Sequence, residues 1–564
     1  MRRTHRAVCA ATILSVLAAA PAAVATPEDI NSSRLESMVT VGGILEHQKA
    51  LQTIADLNGG TRHTRTPGYM ASAAYVKATL EKAGYEARYE MFNMPEWRET
   101  AAPVLQLTSP SSKTYKPGTA ADDSSPSVDF IAFEHTPTKA VSGEVVPVGH
   151  TEIPADGGSE SGCIAADYPA AVKGAIALIQ RGTCSFVQKL QLAAGAGAIG
   201  VILFNEGDTA SRTAALFRSA DPGYTLPAVV SSYAVGLELY NLAKNGQHPK
   251  VNLATSGVEQ ERLYPNVVAE TKRGDANHKV LLGAHLDSVT AGPGINDDGS
   301  GTAFQLELAE QLAKPGTPPR NQIRFLWFGG EEDGLVGSQY YAAHMSDADV
   351  AGTDAMIDTD MIASPNFARL VYDGDGSTFG EDVSGPAGSG VIEEVLKRYW
   401  TQRGLESEPI PFDGRSDYVG FVNRGIPSGG VFAGAEAPKT AAQVAMYGGV
   451  QGEQLDPCYH EACDTYATVT GQPPADTMNV YENDPTPANL AIAQQQADSL
   501  RGNALRSLEQ FKGTLVHAAW YFARHKDAFG SEAKPSKATR AKAARKAGKR
   551  TARFKYRGHH RIAR

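Results

Sequence analysis

The stretch HLDSVTAGPGINDDGSG, residues 285–301, places one histidine and three aspartates between glycine-rich turns. Asp, Gly, Ser and Asn also favour turns, because short polar side chains bond the local backbone and glycine accepts positive φ. The stretch alone therefore fits either a polar surface loop or part of a metal site. Which of the two it is depends on whether other imidazoles and carboxylates converge on it.

Further acidic residues follow separate apolar runs. His285 follows KVLLGA, Glu331 and Glu332 follow IRFLWFGG, and Asp360 ends AMIDTD. In an open α/β sheet, ligands bind beyond the carboxyl ends of the strands, so we expect these side chains to share one edge. Ionised carboxylates at a buried edge repel one another, and a dication compensates them.

A second histidine lies in CYHEACD, residues 458–464, between two cysteines. Taken alone, His460 is an ordinary loop histidine; together with the other residues it is a candidate ligand held by a short disulfide loop. Two histidines with several carboxylates and no thiolate fit zinc or a harder divalent ion. The number of acids favours two metals that share a bridging carboxylate.

The elements that must position these residues alternate in type after residue 262. The runs KVLLGAH, NQIRFLWFGG, AMIDTDMI and SGGVFAGA are typical of strands, and GTAFQLELAEQLA and GVIEEVLKRYW between them have helical spacing. This alternation predicts an α/β fold, with a mixed, mostly parallel sheet flanked by helices. Residues 44–92 are predicted as two helices and a strand, with Gly84 as a helix stop, and residues 489–525 as closing helices.

Residues 128–256 have a different sequence pattern, with short apolar runs, glycine turns and no cluster of His, Asp and Glu at ligand-like spacing. The segments GAIALIQRGTCSFVQKLQLAAGAGAIGVILFN and LPAVVSS resemble the protease-associated domain, a small β-rich module inserted into secreted peptidases. The resemblance implies a role in substrate access without chemistry of its own. The preceding residues 108–127, rich in Ser, Thr, Pro and Asp, are predicted to be a linker.

The charge pattern argues against a general nucleic-acid binder, because 53 Lys and Arg face 62 Asp and Glu, a net charge of −9. Residues 531–564 carry 13 Lys and Arg against one acid, which gives this tail +12 and leaves −21 for the rest. The tail is expected to be disordered. It fits a removable pro-segment, a weak anchor to an anionic surface, or a tail without function.

The N-terminus is typical of a secretory signal, with MRRTHR before an apolar run and AVA as the cleavage site after Ala25. Export permits disulfides. Sequence proximity pairs Cys163 with Cys184 and Cys458 with Cys463, and free buried cysteines are the alternative. No second apolar run of membrane length follows, so we expect a soluble secreted protein.

Seven motifs in order, GAHLDS, GINDDGSG, GGEEDGLVGS, DTDMIASPN, FDGRSDY, GGVFAGAE and CYHEAC, resemble the secreted bacterial dizinc aminopeptidases of the leucyl type. These peptidases share a superfamily with glutamate carboxypeptidases and the transferrin receptor. The resemblance implies the zinc-exopeptidase fold, two Zn²⁺ ions per chain and a peptide substrate with a free N-terminus. It assigns His285 and Asp360 to one zinc, Glu332 and His460 to the other, and Asp297 as the bridge, followed by a cis peptide bond.

The same resemblance gives Glu331 the role of general base, which takes a proton from the attacking water and passes it to the leaving amine. Tyr459 donates a hydrogen bond to the developing oxyanion. Asp287 accepts from the ring of His285 and orients it. Asp298 is expected to have only a turn role.

Two positions match the family's substrate pocket. Arg415 is expected to help hold the α-amino group of the substrate, with partnership to Asp413 or Asp417 as the alternative. Phe432 is expected to line a pocket for a large apolar residue such as leucine. The acidic pocket end formed by Glu331 and Asp360 suits a cationic amine.

Three other functions remain open on the sequence. A metallo-carboxypeptidase or dipeptidase of the same superfamily keeps all five ligands but needs basic residues for a free carboxylate. A non-catalytic receptor-like protein would have lost ligands or base, and all are present. Single-zinc glutamine cyclisation does not need the second ligand set.

The predicted organisation has five parts. They are the signal peptide 1–25, the N-terminal part of the peptidase domain with its linker 26–127, the protease-associated domain 128–256, the main peptidase domain 257–530 and the basic tail 531–564. A monomer without a membrane span is expected, and the sequence leaves a structural Ca²⁺ ion open.

Overall fold

The apolar runs after residue 262 form strands of one sheet in the computed structural model of the chain. The structure describes residues 31–529 apart from residues 120, 121, 123, 154–158, 210, 211, 222, 317, 526 and 527. The predicted signal peptide and basic tail lie outside the described residues. Among the helices of the described chain, none combines the length and apolar character that crossing a membrane requires.

The helices, numbered in chain order, are α1 Ser33–Met38, α2 Val41–Leu57, α3 Pro67–Ala83, α4 Phe186–Gly195, α5 Tyr233–Lys244, α6 Gly299–Ala313, α7 Val336–His344, α8 Asp347–Ala351, α9 Ser389–Thr401, α10 Tyr418–Asn423, α11 Ala441–Tyr447, α12 Tyr466–Thr470, α13 Asn479–Glu482, α14 Pro487–Ser499 and α15 Asn503–Arg524. The strands are β1 Arg88–Glu99, β2 Val104–Ser109, β3 Lys113–Thr114, β4 Pro117–Gly118, β5 Phe130–Ala132, β6 Lys139–Pro147, β7 Ile176–Gln180, β8 Gly200–Phe204, β9 Ala228–Ser231, β10 Lys250–Thr255, β11 Gly257–Glu270, β12 Asp275–His285, β13 Asn321–Phe328, β14 Thr353–Asp358, β15 Leu370–Tyr372, β16 Glu408–Ile410 and β17 Ser428–Phe432.

The larger body is built on an eight-stranded sheet with the order β1-β11-β13-β12-β14-β17-β15-β16. Its four central strands, β13, β12, β14 and β17, are mutually parallel, and antiparallel pairs flank them on both sides. Parallel strands covered on both faces are continuous apolar runs, which explains why Val280–His285 is buried without alternation.

Helices pack on both faces of this sheet. On one face α2, α3, α6, α9 and α15 contribute to a large apolar core, and on the other α7 and α10 form a second one. The predicted α/β class, with a mixed sheet flanked by helices, is confirmed. Because all four parallel strands run in one direction, their carboxyl ends meet at a single edge.

The two helices expected within residues 44–92 are α2 and α3, and the stop expected at Gly84 is the end of α3. Pro67 occupies the first turn of α3, and Gly84 follows it with φ of 97°, a left-handed conformation that glycine adopts without steric cost. The closing helices expected within residues 489–525 are α14 and α15, and α15 lies across the core of the eight-stranded sheet.

A second sheet of nine strands forms the inserted β-rich domain, in the order β3-β2-β10-β6-β7-β8-β9-β5-β4. The linker prediction for 108–127 and the start at residue 128 need correction, because β2, beginning at Val104, pairs with β10 and belongs to this sheet. Its buried apolar side chains are Leu105 and Leu107, and a single alternation of this kind is too short to define a strand in the sequence. The long antiparallel pair β1 and β11 joins the two bodies.

Candidate active site

The predicted site residues converge at the carboxyl edge of the parallel strands. His285 is the last residue of β12, Glu331 and Glu332 lie in the turn after β13, and Asp360 comes two residues after β14. Asp297 lies just before α6, and its peptide bond to the next residue is cis. The sheet therefore brings together side chains that are up to 75 positions apart in this segment of the sequence.

Asp297 stands between two imidazoles. Its Oδ1 lies 3.1 Å from Nε2 of His285, and its Oδ2 lies 3.2 Å from Nε2 of His460. His460 Nε2 is also 3.1 Å from Oε2 of Glu332, and His285 Nε2 is 3.7 Å from Oδ1 of Asp360. The carboxylate of Asp297 thus faces one His–carboxylate pair with each of its oxygens.

The spacing of these donor atoms fits zinc. Ligands about 2.1 Å from a tetrahedral zinc stand about 3.4 Å apart, which the spacings of 3.1 to 3.7 Å bracket. Oδ1 of Asp360 is buried and accepts no hydrogen bond from the described residues. An ionised acceptor in that position is stabilised by a cation. The donor set of imidazole and carboxylate is the one that zinc prefers in catalytic sites.

The electrostatics of the cluster show how strongly the acids act on the imidazoles. Burial lowers the pKa of His460, but Glu332 and Asp297 outweigh it and raise the value to about 10. The pKa of His285 likewise rises well above its ordinary value despite complete burial, because carboxylates surround the ring. Burial opposes ionisation of Asp297, yet the two imidazoles hold its pKa well below the usual range.

His460 is presented by the short loop closed by the disulfide Cys458–Cys463. It adopts a left-handed φ of 59°, and its ring stacks on that of Tyr459 with centroids 3.8 Å apart. A non-glycine residue in this conformation needs surrounding structure to fix it. The disulfide and the stacked ring supply this fixation. The second disulfide, Cys163–Cys184, lies in the inserted domain.

Glu331 is fully buried, and burial together with neighbouring carboxylates raises its pKa well above the ordinary value. The turn that carries it is fixed by Asp287, whose carboxylate accepts hydrogen bonds from the backbone N–H groups of Glu331 and Glu332, each 3.3 Å long. The contact of Asp287 with the His285 ring at 3.1 Å uses its backbone carbonyl, and its carboxylate is 3.7 Å away. Asp287 therefore supports two parts of the site.

One side of the cluster of proposed metal ligands is lined by Tyr459, Arg415 and Phe432. Nη2 of Arg415 donates to the Tyr459 hydroxyl at 3.1 Å, and its guanidinium forms a bidentate pair with Glu436 at 2.7 and 3.2 Å. Burial raises the pKa of Tyr459 well above its usual range, with Arg415 opposing, so the phenol stays protonated. Phe432 packs beside Tyr459, Met361 and Ala435.

This pairing bears on the role expected of Arg415 in binding the α-amino group. A guanidinium carries only donors, so it cannot accept a hydrogen bond from a substrate ammonium group. Neither of the acids weighed as its ion-pair partner in the sequence holds the side chain, although the backbone N–H of Arg415 donates to Asp413. Glu436, from the motif GGVFAGAE, was not identified from the sequence because a single glutamate after a strand has no distinguishing spacing.

Three further supporting residues were not assigned these roles from the sequence. Ser416 donates to Oδ2 of Asp360 at 2.7 Å, and Asp464 accepts from the backbone N–H of Asp297 at 2.9 Å. Asp298, given only a turn role, caps α6 by accepting from Gly301, and it also comes close to His285 and Asp360 as a third candidate ligand. Ser416 and Asp464 lie far from their partners in the sequence, and Asp298 lies in the same turn motif as Asp297. Residue spacing therefore did not indicate these roles.

Most of the chain is similar to known peptidases. The model of peptidase family M28 matches residues 266–480, and that of the PA domain matches residues 141–239. An aminopeptidase of Pseudomonas aeruginosa is 42% identical over 439 residues, 77% of this chain and 78% of the relative. A protein named probable leucine aminopeptidase 2 from Aspergillus oryzae is 38% identical over 408 residues, 72% and 74% of the two chains.

Solved structures share the fold at lower identity. A zinc aminopeptidase from Bacillus subtilis has a TM-score of 0.54 at 20% identity, covering 83% of this chain and 94% of its own. An aminopeptidase from Aneurinibacillus sp. strain AM-1 has a TM-score of 0.53 at 23% identity, covering 84% and 95%. At this identity the likeness concerns the fold.

Proposed function

The chain belongs to peptidase family M28 as a zinc-dependent aminopeptidase with an inserted PA domain, and we propose that it removes large apolar residues such as leucine from peptide N-termini. The observation that carries the proposal is the placement of Asp297, with one oxygen toward each histidine, at the edge that also bears Glu331. Two Zn²⁺ ions per chain suit this arrangement, with His285 and Asp360 on one side of Asp297 and Glu332 and His460 on the other.

Zinc bound at such a site polarises the scissile carbonyl and lowers the pKa of its water to about 7. In the proposed mechanism, Glu331 accepts a proton from the attacking water and delivers it to the leaving amine. Its complete burial directly beside the proposed ligand Glu332, in a turn fixed by Asp287, suits both steps because the carboxylate is held in one place. Tyr459, protonated and oriented by Arg415, donates to the developing oxyanion.

The specificity for an apolar N-terminal residue rests on the cluster around Phe432. This half-buried ring lies with Met361, Ala435 and Tyr459 beside the ligands, which offers an apolar wall to the substrate side chain. The nearby carboxylates attract the substrate ammonium group. Arg415, rather than binding that ammonium group, is proposed to hold Tyr459 and Glu436 in place.

The carboxypeptidase alternative is less well supported, because it needs basic side chains that bind a free carboxylate. Arg415, the basic residue considered for this in the motif regions, is paired with Glu436. Turnover of a leucine amide chromogen is compared with that of an acidic dipeptide. The proposal predicts turnover of the first, and hydrolysis of the acidic dipeptide alone would refute it.

The metal assignment is tested by zinc analysis of the purified chain together with the Glu331→Gln variant. Two zinc ions per chain and a strongly reduced kcat are expected. One zinc per chain would favour single-metal chemistry, and full zinc with normal activity would refute the role of Glu331. The structural Ca²⁺ ion that the sequence leaves open is checked by the same metal analysis.

Secretion is proposed from the N-terminal signal pattern and is supported by the two disulfides, which form in oxidising compartments. The mature protein is then expected to begin at Thr26. Mass spectrometry of protein from the culture medium tests this cleavage and shows whether residues 531–564 persist. Sedimentation of the same sample tests the predicted monomer.

A further inference from the structure

The segment TRHTRT, residues 61–66, connects α2 to α3 and touches both loops of the site. Arg62, fully buried, donates through Nε to Pro293 at 2.7 Å and through Nη2 to Gly294 at 2.6 Å, both backbone carbonyls of the loop before Asp297. Thr64 accepts from the backbone N–H of Gly330 at 2.8 Å. We call residues 61–66 the clasp, because they form hydrogen bonds with both ligand-bearing loops, the one before Asp297 and the one after β13.

The clasp also reaches the inserted domain through Arg65. Its Nη1 lies 3.0 Å from Oδ1 of Asp333, the residue directly after the Glu331–Glu332 pair, and 3.3 Å from Oε1 of Glu134. All three side chains are largely buried, with exposed fractions of 20% for Arg65, 12% for Asp333 and 8% for Glu134. One guanidinium nitrogen thus joins an acid of the catalytic turn to an acid of the inserted domain.

Glu134 is itself fixed within the inserted domain. It follows β5, its backbone N–H donates to the carbonyl of Arg218, and its Oε2 accepts from the hydroxyl of Ser219. Its orientation is therefore set by the nine-stranded body. Asp333, on the other side of Arg65, also faces His63, whose Nε2 lies 3.3 Å from Oδ2.

We propose that Glu134 is a positioning residue for catalysis, because through Arg65 and Asp333 it holds the turn that carries Glu331 and Glu332. The inserted domain then contributes to the order of the active site in addition to any role in substrate access. The inference rests on the roles proposed above for Glu331 and Glu332. Removal of one member of a buried ion-pair network leaves another charge uncompensated, so loss of the Glu134 carboxylate should change how Arg65 contacts Asp333.

Glu134 is not needed merely to attach the inserted domain. All of β1 pairs with residues 257–268 of β11, and these two strands of the eight-stranded sheet lead into the inserted domain. One residue away, Nδ1 of His135 pairs with Oε1 of Glu259 at 2.7 Å, and Nε2 of the same ring is 3.9 Å from Oε2 of Glu134, so Glu259 meets the network only through His135. Glu259→Gln is therefore a matched control for Glu134→Gln, with the same substitution at the same junction.

The test is a double-mutant cycle on kcat in the full-length zinc-loaded enzyme, with Glu134→Gln and Asp333→Asn. Glu134→Gln is expected to lower kcat about fivefold with KM within about twofold of wild type, and to change kcat less than about twofold when Asp333→Asn is already present. Glu259→Gln is expected to leave kcat unchanged and to be additive with Asp333→Asn. Additive effects of Glu134→Gln and Asp333→Asn, or an unchanged kcat in Glu134→Gln, would overturn the proposal.

Hydrogen exchange of residues 329–337 supplies a readout that does not depend on turnover. Exchange in this turn should be faster in Glu134→Gln than in wild type and unchanged in Glu259→Gln. Equal exchange in all three proteins would also refute the proposal, even if Asp333→Asn fails to fold. Failure of the proposed function has a different signature: Glu331→Gln would keep its activity whatever the cycle shows.

Discussion

Two buried polar clusters, one in each sheet, differ in how their charges are satisfied. In the inserted domain Lys189 is almost completely buried, and it donates to the backbone carbonyls of Ser161 and Gln180. The carboxamide of Gln180 in turn donates to the carbonyl of Glu206 at 3.0 Å. At the carboxyl edge of the larger sheet, by contrast, Oδ1 of Asp360 accepts no hydrogen bond from the described residues.

The contrast shows that burial of polar groups does not by itself identify a functional site. A network in which the buried donors have acceptors, such as that of Lys189, rigidifies the core and specifies one structure. Carboxylates gathered with unsatisfied oxygens are costly unless a cation joins them. Chemistry is therefore expected where buried carboxylate oxygens lack hydrogen-bond donors. Substitutions in that cluster should lower kcat, whereas substitutions in the Lys189 cluster should affect stability.

The largest expected effect of a single substitution is that of Glu331→Gln. Loss of the general base should lower kcat about 10²- to 10⁴-fold, since this is the usual contribution of positioned proton transfer. Zinc content and the melting temperature should stay near those of wild type. Lys189 contacts none of the proposed metal ligands, so Lys189→Met should not lower kcat per folded molecule. A decrease by a similar factor would contradict the distinction between the two clusters.

Tyr459→Phe should follow in size. Removal of one oxyanion donor typically lowers kcat about 10²- to 10³-fold, and the stacked ring that supports His460 is retained. Steady-state kinetics with a leucine chromogenic substrate check this, and KM should change little. A variant with normal kcat would assign Tyr459 to support of the His460 loop alone.

Removal of zinc by a chelator should lower the stability of the larger body. Ligand binding to the native state stabilises it by about 2.7 kcal/mol at a free concentration 100 times Kd. Thermal unfolding with and without chelator measures the effect, with Asp297→Asn as the control that should respond less. A chelator shift of the same size in Asp297→Asn would place the stabilising metal elsewhere.

The smallest effect concerns pH and the inserted domain. Burial lowers the pKa of Lys189 from 10.5 to about 8. Between these values the unfolded chain binds more protons than the folded one, so stability rises with pH in this window. Relative to Lys189→Met, which lacks the titrating group, wild type should gain about 2 kcal/mol from pH 8 to pH 10.

Chemical denaturation of both proteins at the two pH values measures this difference. The reverse sign, with wild type losing stability against Lys189→Met as the pH rises, would contradict the assigned burial of the ammonium group. The kcat of Lys189→Met, measured at constant pH, should equal that of wild type.

Much of the larger body was predictable because its signals are local. The parallel strands are unbroken apolar runs, and acidic or histidine residues follow or end three of them. The sequence alone therefore predicts that His285, Glu331, Glu332 and Asp360 lie at one edge of the sheet. Gly84 marked the end of α3. The short strand β2 was missed because its two buried positions, Leu105 and Leu107, give a single alternation, which does not define a period.

The sequence by itself determined the fold class, the family resemblance and the types of residue available for metal and proton chemistry. Only the tertiary structure decided which of them meet. It paired Arg415 with Glu436, placed Ser416 on Asp360, and joined Glu134 to Asp333 through Arg65. The physical reason is that side-chain hydrogen bonds and ion pairs depend on distances of about 3 Å in space, whatever the separation along the chain.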